Sequence, residues 1–186
     1  MAHLIKHRQI IRDSWLLLDR DIERLLRPGE DGLLPDFPDQ TMLIVPTALW
    51  RSRREDLLDR TGGTGVWLDS SEEPGSIAED LPLFAVVAVN FPQFTDGRGY
   101  SMARLLRERY GYRGELRAIG DVLRDQLLYL SRCGFDAFAL RADQDPNGAL
   151  SAFEDFSDNY QGTVGCLPLF RQRREEAAPK RGAIRL

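Results

Sequence analysis

The chain of 186 residues is 42% hydrophobic and 29% charged, which suits one globular domain with a real core and excludes a disordered polymer. Its formal net charge of -4 argues against a general nucleic-acid or membrane-surface binder, and no apolar run approaches the roughly 18 residues that span a bilayer. Two cysteines far apart in sequence (Cys133, Cys166) cannot supply an iron–sulfur cluster or, on their own, a structural zinc site, and neither His3 nor His7 lies in a cluster with other ligands, so neither a metal nor a disulfide is expected.

The opening MAHLIKHRQIIRDSW lacks the long apolar segment of a secretory signal, so a cytoplasmic protein is expected. Residues 3–18, HLIKHRQIIRDSWLLL, alternate loosely and predict a β-hairpin within residues 1–26. Residues 27–40, RPGEDGLLPDFPDQ, read as a linker or long loop. Then the rhythm changes. MLIVP (42–46) predicts a strand, followed by a helical pattern from Ala48 to Arg60 with Trp50, Leu57 and Leu58. GVWLD (65–69) is the next strand, and Pro74 opens a short helix. LFAVVAVNF (83–91) is continuous and β-branched, the pattern of a strand buried on both faces.

A helix from about Tyr100 to Tyr110 follows, then a strand at 114–120 ended by Gly120. Asp121 is expected to cap a helix to Arg132, stopped by Gly134. FDAFALR (135–141) predicts a strand, and Asp145-Pro146 opens a last helix to about Phe156. Five strand–helix units predict an α/β fold with a mostly parallel sheet covered by helices. An open three-layer sheet is favoured over a partial (βα) barrel, because eight units do not fit in this length. The domain is expected to span residues 1–170, with its βα core at 41–162 and a charged flexible tail at 171–186.

In parallel α/β sheets ligands gather at the carboxyl ends of strands. That rim holds Asp69, Phe94, Asp96, Arg98, Asp121, Arg124, Arg141 and Asp143. The loop Asp96-Gly97-Arg98-Gly99 is its sharpest feature. The glycines permit positive φ and close backbone approach, and Arg98 can present a planar fork to a carboxylate, phosphate or sulfur oxyanion. The alternative is a tight turn with Asp96 accepting backbone N–H bonds. Gly97-x-Gly99 is not the dinucleotide fingerprint, because Met102 stands where a third Gly or Ala belongs.

Arg104 and Arg107 share a helix face, readable as a solvated surface or as a docking face for an acidic partner. Asp121 and Asp125 lie four apart, which suits an acid pair or a divalent cation, but a hard cation needs more oxygen ligands than the sequence offers, and the favoured reading is Asp121 as a cap and Asp125 paired with an arginine such as Arg117. Cys133 reads as a small buried side chain.

The stretch FPQFTDGRGYSMARLLRERYGYRGELRAIGDVLRDQLLYLSRCGFDAFAL, 91–140, together with Asp13-x-Trp15 and Val45-Pro46-x-x-x-Trp50, resembles a bacterial family of uncharacterised proteins described as oxidoreductases of sulfite reduction. The likeness runs from residue 3 to about 161. Members are encoded beside the haem-containing sulfite reductase of sulfate assimilation, which implies a role in sulfur assimilation and that haemoprotein as partner. On this resemblance the leading expectation is an accessory protein that binds or stabilises sulfite reductase. Arg98, Arg104, Arg107 and Arg124 would form its contact surface, with Asp96 and Asp121 fixing the geometry. A second is an enzyme or sensor of a small anion, with Asp96 or Asp121 as acid or base and Arg98 and Arg117 as clamp. A third, following the family's description, is a flavin- or nicotinamide-dependent oxidoreductase. The chain carries no flavin, dinucleotide or haem-attachment motif, so no cofactor is expected.

Overall fold

The computed structural model describes residues 3–19, 38–154 and 164. Most of the linker read at 27–40 lies outside the described residues, as do Cys166 and the tail at 171–186. Strands β1 (His3–Lys6) and β2 (Gln9–Arg12) form the expected antiparallel hairpin. Its two turn residues, His7 and Arg8, have φ of 49° and 62°. Primed hairpin turns demand this left-handed backbone, usually from Asn or Gly. Here Arg8 takes it while its guanidinium lies 5.6 Å from the centre of the Phe153 ring.

Six strands follow in parallel: β3 (Trp15–Leu17), β4 (Met42–Pro46), β5 (Thr64–Asp69), β6 (Val86–Phe91), β7 (Glu115–Gly120) and β8 (Ala137–Phe138). The sheet order is β2-β1-β8-β7-β6-β5-β4-β3. Parallel strands in sequential order, joined by crossovers of one hand, place all the crossovers on one face. The packing agrees. Leu43, Val45, Val66, Leu68, Val87, Val89, Phe91, Leu116, Ala118 and Phe138 point outward into the main core. Helices α1 (Thr47–Ser52), α2 (Arg54–Leu58), α3 (Arg98–Arg104), α4 (Leu127–Cys133) and α5 (Pro146–Leu150) cover that face with Leu49, Trp50, Leu57, Met102, Ala103, Leu127, Leu130 and Ala149.

The alternate strand residues, Ile44, Trp67, Val86, Ala88 and Ile119 with Trp15 and Ala139, form a smaller cluster on the opposite face. Among the described residues, no helix covers this second side of the sheet. The sheet curls into a half-barrel with flanking helices. Of the two closures the sequence allows, the partial barrel is the one adopted, and the favoured open three-layer sheet is corrected.

The N-terminal segment takes part in that curl. β2 and β3 lie at opposite ends of the strand order, yet only Asp13 and Ser14 separate them. Three Cα–Cα steps reach at most about 11 Å, so the two sheet edges come close at this point. Asp13 faces inward and accepts from Nη1 of Arg117 on β7 at 2.8 Å. Glu115 accepts from Arg117 Nε at 2.7 Å and from Lys6 Nζ at 2.7 Å. Two cations and two carboxylates thus balance inside the curl. Expecting Trp15–Leu17 within the hairpin is corrected: they pair with β4 instead.

Other boundaries shift for local reasons. The helix expected over 48–60 breaks at Arg53, whose φ of -131° is not helical. The strand expected from Leu83 begins at Val86, because Leu81–Leu83 form a 3-10 turn opened by Pro82. The strand at 135–141 shortens to two residues where the antiparallel β1 ladder meets it. No helix among the described residues is long and apolar enough to cross a membrane.

Candidate functional site

The carboxyl ends of β4 to β8 carry a continuous belt of polar contacts. After β5, Asp69 accepts from Ser71 N and Oγ at 3.1 and 2.9 Å and from Asn90 Nδ2 at 3.3 Å. Glu72 binds back to the Asp69 N–H at 2.7 Å, and its other oxygen accepts from the Thr47 hydroxyl. After β6, Asp96 accepts from Arg98 Nη2 at 2.7 Å, from Nε and N of the same residue, and from the buried Ser70 hydroxyl at 2.7 Å. Arg98 first, then Ser70, hold this carboxyl well below the usual carboxylate range. The Arg98 side chain stays 60% exposed.

Asp121 is not a helix cap. Its carboxylate reaches back across the rim, accepting from Phe94 N at 2.9 Å and Arg141 Nη1 at 2.7 Å. Arg141 also grips Asp143 at 2.6 Å, and these two acids raise its already high pKa. The cap falls instead to Gln126, whose Oε1 accepts from Leu123 N ahead of the 3-10 turn Arg124–Gln126, with α4 starting at Leu127. Gln126 Nε2 also donates to Phe94 O and the Tyr100 hydroxyl. Asp121 therefore joins the loops after β6, β7 and β8.

The two glycines play different parts from those expected. Gly97 has φ -80° with open space around it, so neither positive φ nor close approach requires glycine there. Gly99 is packed: a Cβ on it would lie 2.5 Å from the Phe91 ring. Arg104 is exposed on α3, beside Cys133 and Tyr129.

Arg107 is a strut, with its side chain 10% exposed. It donates to the carbonyls of Gly134, Tyr112 and Gly114 and to Asp136 Oδ2, all within 2.9 Å. Arg124 bonds to Gly148 O and the Ser151 hydroxyl, tying α5 to the rim. Arg117 is buried inside the half-barrel. Asp96 and Arg98 thus stand together, Asp121 stands on the same rim with Arg141, and Arg104, Arg107, Arg117 and Arg124 lie on separate parts of the fold.

A cleft of about 310 Å³ opens at the carboxyl ends of the inner face, lined by Leu17, Leu18, Asp19, Trp67, Asn90, Ile119 and Gly120. Trp67 Nε1 donates to Leu18 O at 2.8 Å, which fixes the indole as one wall. Gly120 has φ +92°, and a Cβ there would collide with Phe91 O and Asn90 Oδ1. The position of this cleft is that of ligand sites in (βα) barrels. A hollow of about 350 Å³ at the amino ends lies among Leu81, Phe84, Tyr110, Tyr112 and Arg113, with no carboxylate among its described lining residues. Among the described residues, no three His, Cys, Asp or Glu are grouped to hold a metal ion. Cys133 is buried, and burial pushes its thiol up.

The sequence reading missed both polar residues of this cleft, Asp19 and, on β6, Asn90. The signal for Asn90 is present: it is the one polar side chain in the run VVAVNF. Residues 65–170 of the chain match the model of a family described as bacterial protein of unknown function (DUF934). The chain belongs to this family. The DUF934 match opens at β5 and takes in Trp67, Asp69, Asn90, Asp96, Arg98, Ile119, Gly120 and Asp121, hence most of the rim, while Asp13 and Leu17–Asp19 precede it. No curated protein and no solved structure matches this DUF934 chain.

Proposed function

We propose that this DUF934 protein is an accessory protein of assimilatory sulfite reduction, a cytoplasmic partner that docks onto the haem-containing sulfite reductase and stabilises it. The observation that carries the reading is an aromatic strip within the block 91–140 that bears the sulfite-reduction resemblance. Phe94 and Tyr129 are 52% and 50% exposed. The Tyr129 ring lies tilted against that of Tyr100, with centroids 4.9 Å apart, and Gln126 joins Tyr100 to Phe94. Arg104, exposed on α3, acts on the same Cys133 thiol that Tyr129 bonds. Exposed aromatics held rigid beside arginine are the residue types that dominate binding energy at protein interfaces.

Co-purification tests this. A tagged chain, expressed with sulfite reductase and washed at low salt, is expected to retain a protein with a haem spectrum. Phe94→Ser with Tyr129→Ser is expected to lose it while melting as the parent does. Failure to retain the haemoprotein with both proteins present removes the proposal.

A second reading, an enzyme or sensor of a small anion, has one observation in its favour. The Arg98 guanidinium is exposed and already oriented by Asp96. It expects thermal stabilisation by sulfite or sulfate that Arg98→Ala abolishes. Identical melting with and without these anions rejects it.

A further inference from the structure

We infer that the hollow at the amino ends of β6 and β7 binds a small carboxylate carried on an apolar or aromatic group. This goes beyond the docking reading and does not depend on it. The hollow precedes Val86 and Glu115, where these strands begin, whereas Phe94 follows the far end of β6. The lining sets the sign of the ligand. Arg113 is its one charged residue, exposed and without an ion pair among the described residues. Arg109 adds a second cation. Its guanidinium lies 5.7 Å from the centre of the Tyr110 ring, and it too forms no ion pair among the described residues.

The surrounding carboxylates do not cancel this charge. Asp80 accepts from Trp50 Nε1 at 2.7 Å and from Arg54, Asp136 is held by Arg107, and Glu115 by Lys6 and Arg117. Glu108 acts on the Cys133 thiol, which places it toward α4. Glu79, next to Ala78, is exposed and pairs with neither arginine. Arg98, Arg107, Arg117 and Arg141 each grip a carboxylate of the chain itself. The planar fork of Arg113 has the same capacity, unspent, and a carboxylate is the anion whose shape it matches.

The rest of the lining suits the remainder of such a ligand. Leu81, Pro82, Phe84 and Tyr112 supply an apolar wall. The Tyr112 hydroxyl lies 3.2 Å from the carbonyls of both Phe84 and Glu115, which fixes its ring. The Tyr110 hydroxyl has no hydrogen-bond partner among the described residues. It rests against Gly75, where a Cβ would come within 2.7 Å of it. The amides of Arg113 and Gly114 likewise have no acceptor among the described residues. Guanidinium, phenol and amide all donate, whereas an ionised carboxylate only accepts. An inorganic anion would leave the apolar wall against water, and an alcohol would leave Arg113 unmatched. The volume of about 350 Å³ sits at the small end of ligand pockets and so fits a metabolite-sized acid.

The experiment is a ¹H–¹⁵N titration of the full chain with sodium hydrocinnamate, run beside hydrocinnamyl alcohol and sodium phosphate at constant ionic strength. The inference expects saturable shifts centred on the amides of Arg113 and Gly114 with hydrocinnamate alone. Arg113→Gln, at an exposed position, is expected to weaken that response about tenfold, the scale of one lost hydrogen bond to a charged group. No saturable shift at either amide, an equal response to the alcohol or to phosphate, or shifts centred on Tyr129 instead overturns it. Undiminished binding by Arg113→Gln overturns it as well. The three-probe comparison on the unmodified chain decides the matter even where Arg113→Gln fails to fold.

Discussion

Arg117 and Asp13 stand 104 residues apart in the chain, yet the Arg117 guanidinium donates to the Asp13 carboxylate at 2.8 Å inside the half-barrel. The Arg117 side chain is 2% exposed. The pair pins the segment between β2 and β3, where the two sheet edges approach, to a central strand. Arg117→Met leaves the carboxylates of Asp13 and Glu115 buried with one cation between them, Lys6. Breaking a buried pair in this way costs about 3–5 kcal/mol. Urea denaturation is expected to show that loss, and adding Asp13→Asn to recover part of it. Additive losses from the two changes would mean that the residues do not act together.

Gly97 and Gly99, two residues apart, are expected to respond oppositely to alanine. Gly97 already has backbone angles that any residue adopts, so Gly97→Ala is expected to stabilise the chain by about 0.4–1 kcal/mol through the unfolded state. Gly99→Ala forces a methyl group against Phe91 and is expected to cost about 1–3 kcal/mol, the usual range for overpacking. Thermal unfolding of the two variants side by side makes the comparison.

Arg107 lies on the same helical stretch as exposed Arg104 but holds three carbonyls and Asp136. Arg107→Ala is expected to destabilise the protein by about 3 kcal/mol or more, since several buried acceptors lose their donor together. Arg104→Ala is expected to cost less, about 0–1 kcal/mol, the usual worth of a contact at an exposed site. Equal midpoints for the two variants would contradict the strut.

Acid should unfold the protein in a defined direction. Arg98 depresses Asp96, Arg141 depresses Asp143, and the N–H groups of Gly148 and Asn147 depress Asp145. A depressed carboxyl contributes stability that is full above its unfolded value, about 4, and fades as pH falls through its lower folded value. Asp136 has the reverse sign. Burial raises it against the pull of Arg107, so its contribution is present below about pH 4 and disappears as pH rises through the raised value. With Asp80, where burial is outweighed by bonds from Trp50 and Arg54, four depressed carboxyls against one raised predict falling melting temperatures below pH 4. Asp96→Asn is expected to be less stable than the parent at pH 7, with the gap narrowing below pH 4. A gap independent of pH would show that the charge of Asp96 is not what matters.

The strands were legible where one face or both carry apolar side chains without interruption, as in VVAVNF, and so was the α/β alternation. The half-barrel was not. Glu115 and Arg117 alternate with Leu116 and Ala118, a pattern that reads as a strand with one wet face; their burial depends on Lys6 and Asp13 arriving from the far end of the chain. Asp121 looks like a cap because Asp before a helical pattern usually is one, but Phe94 N and Arg141 compete for its carboxylate and win. That Asp69, Asp96, Asp121 and Arg141 follow strand ends was legible from the strands alone. The pairing of Asp96 with Arg98 follows from their spacing in a tight loop. The cleft around Asn90 needed the curl of the sheet, which periodicity does not encode.

The hairpin has a temporal consequence. Ile5 lies opposite Phe138, so during synthesis β1 must wait for β8, which emerges more than a hundred residues later. At about 5–20 residues per second that delay is on the order of ten seconds. Throughout it, the leucine and isoleucines of β1 and β2 have no β8 to shelter them, and translation arrested before residue 138 yields a fragment that a holding chaperone can grasp by its first dozen residues.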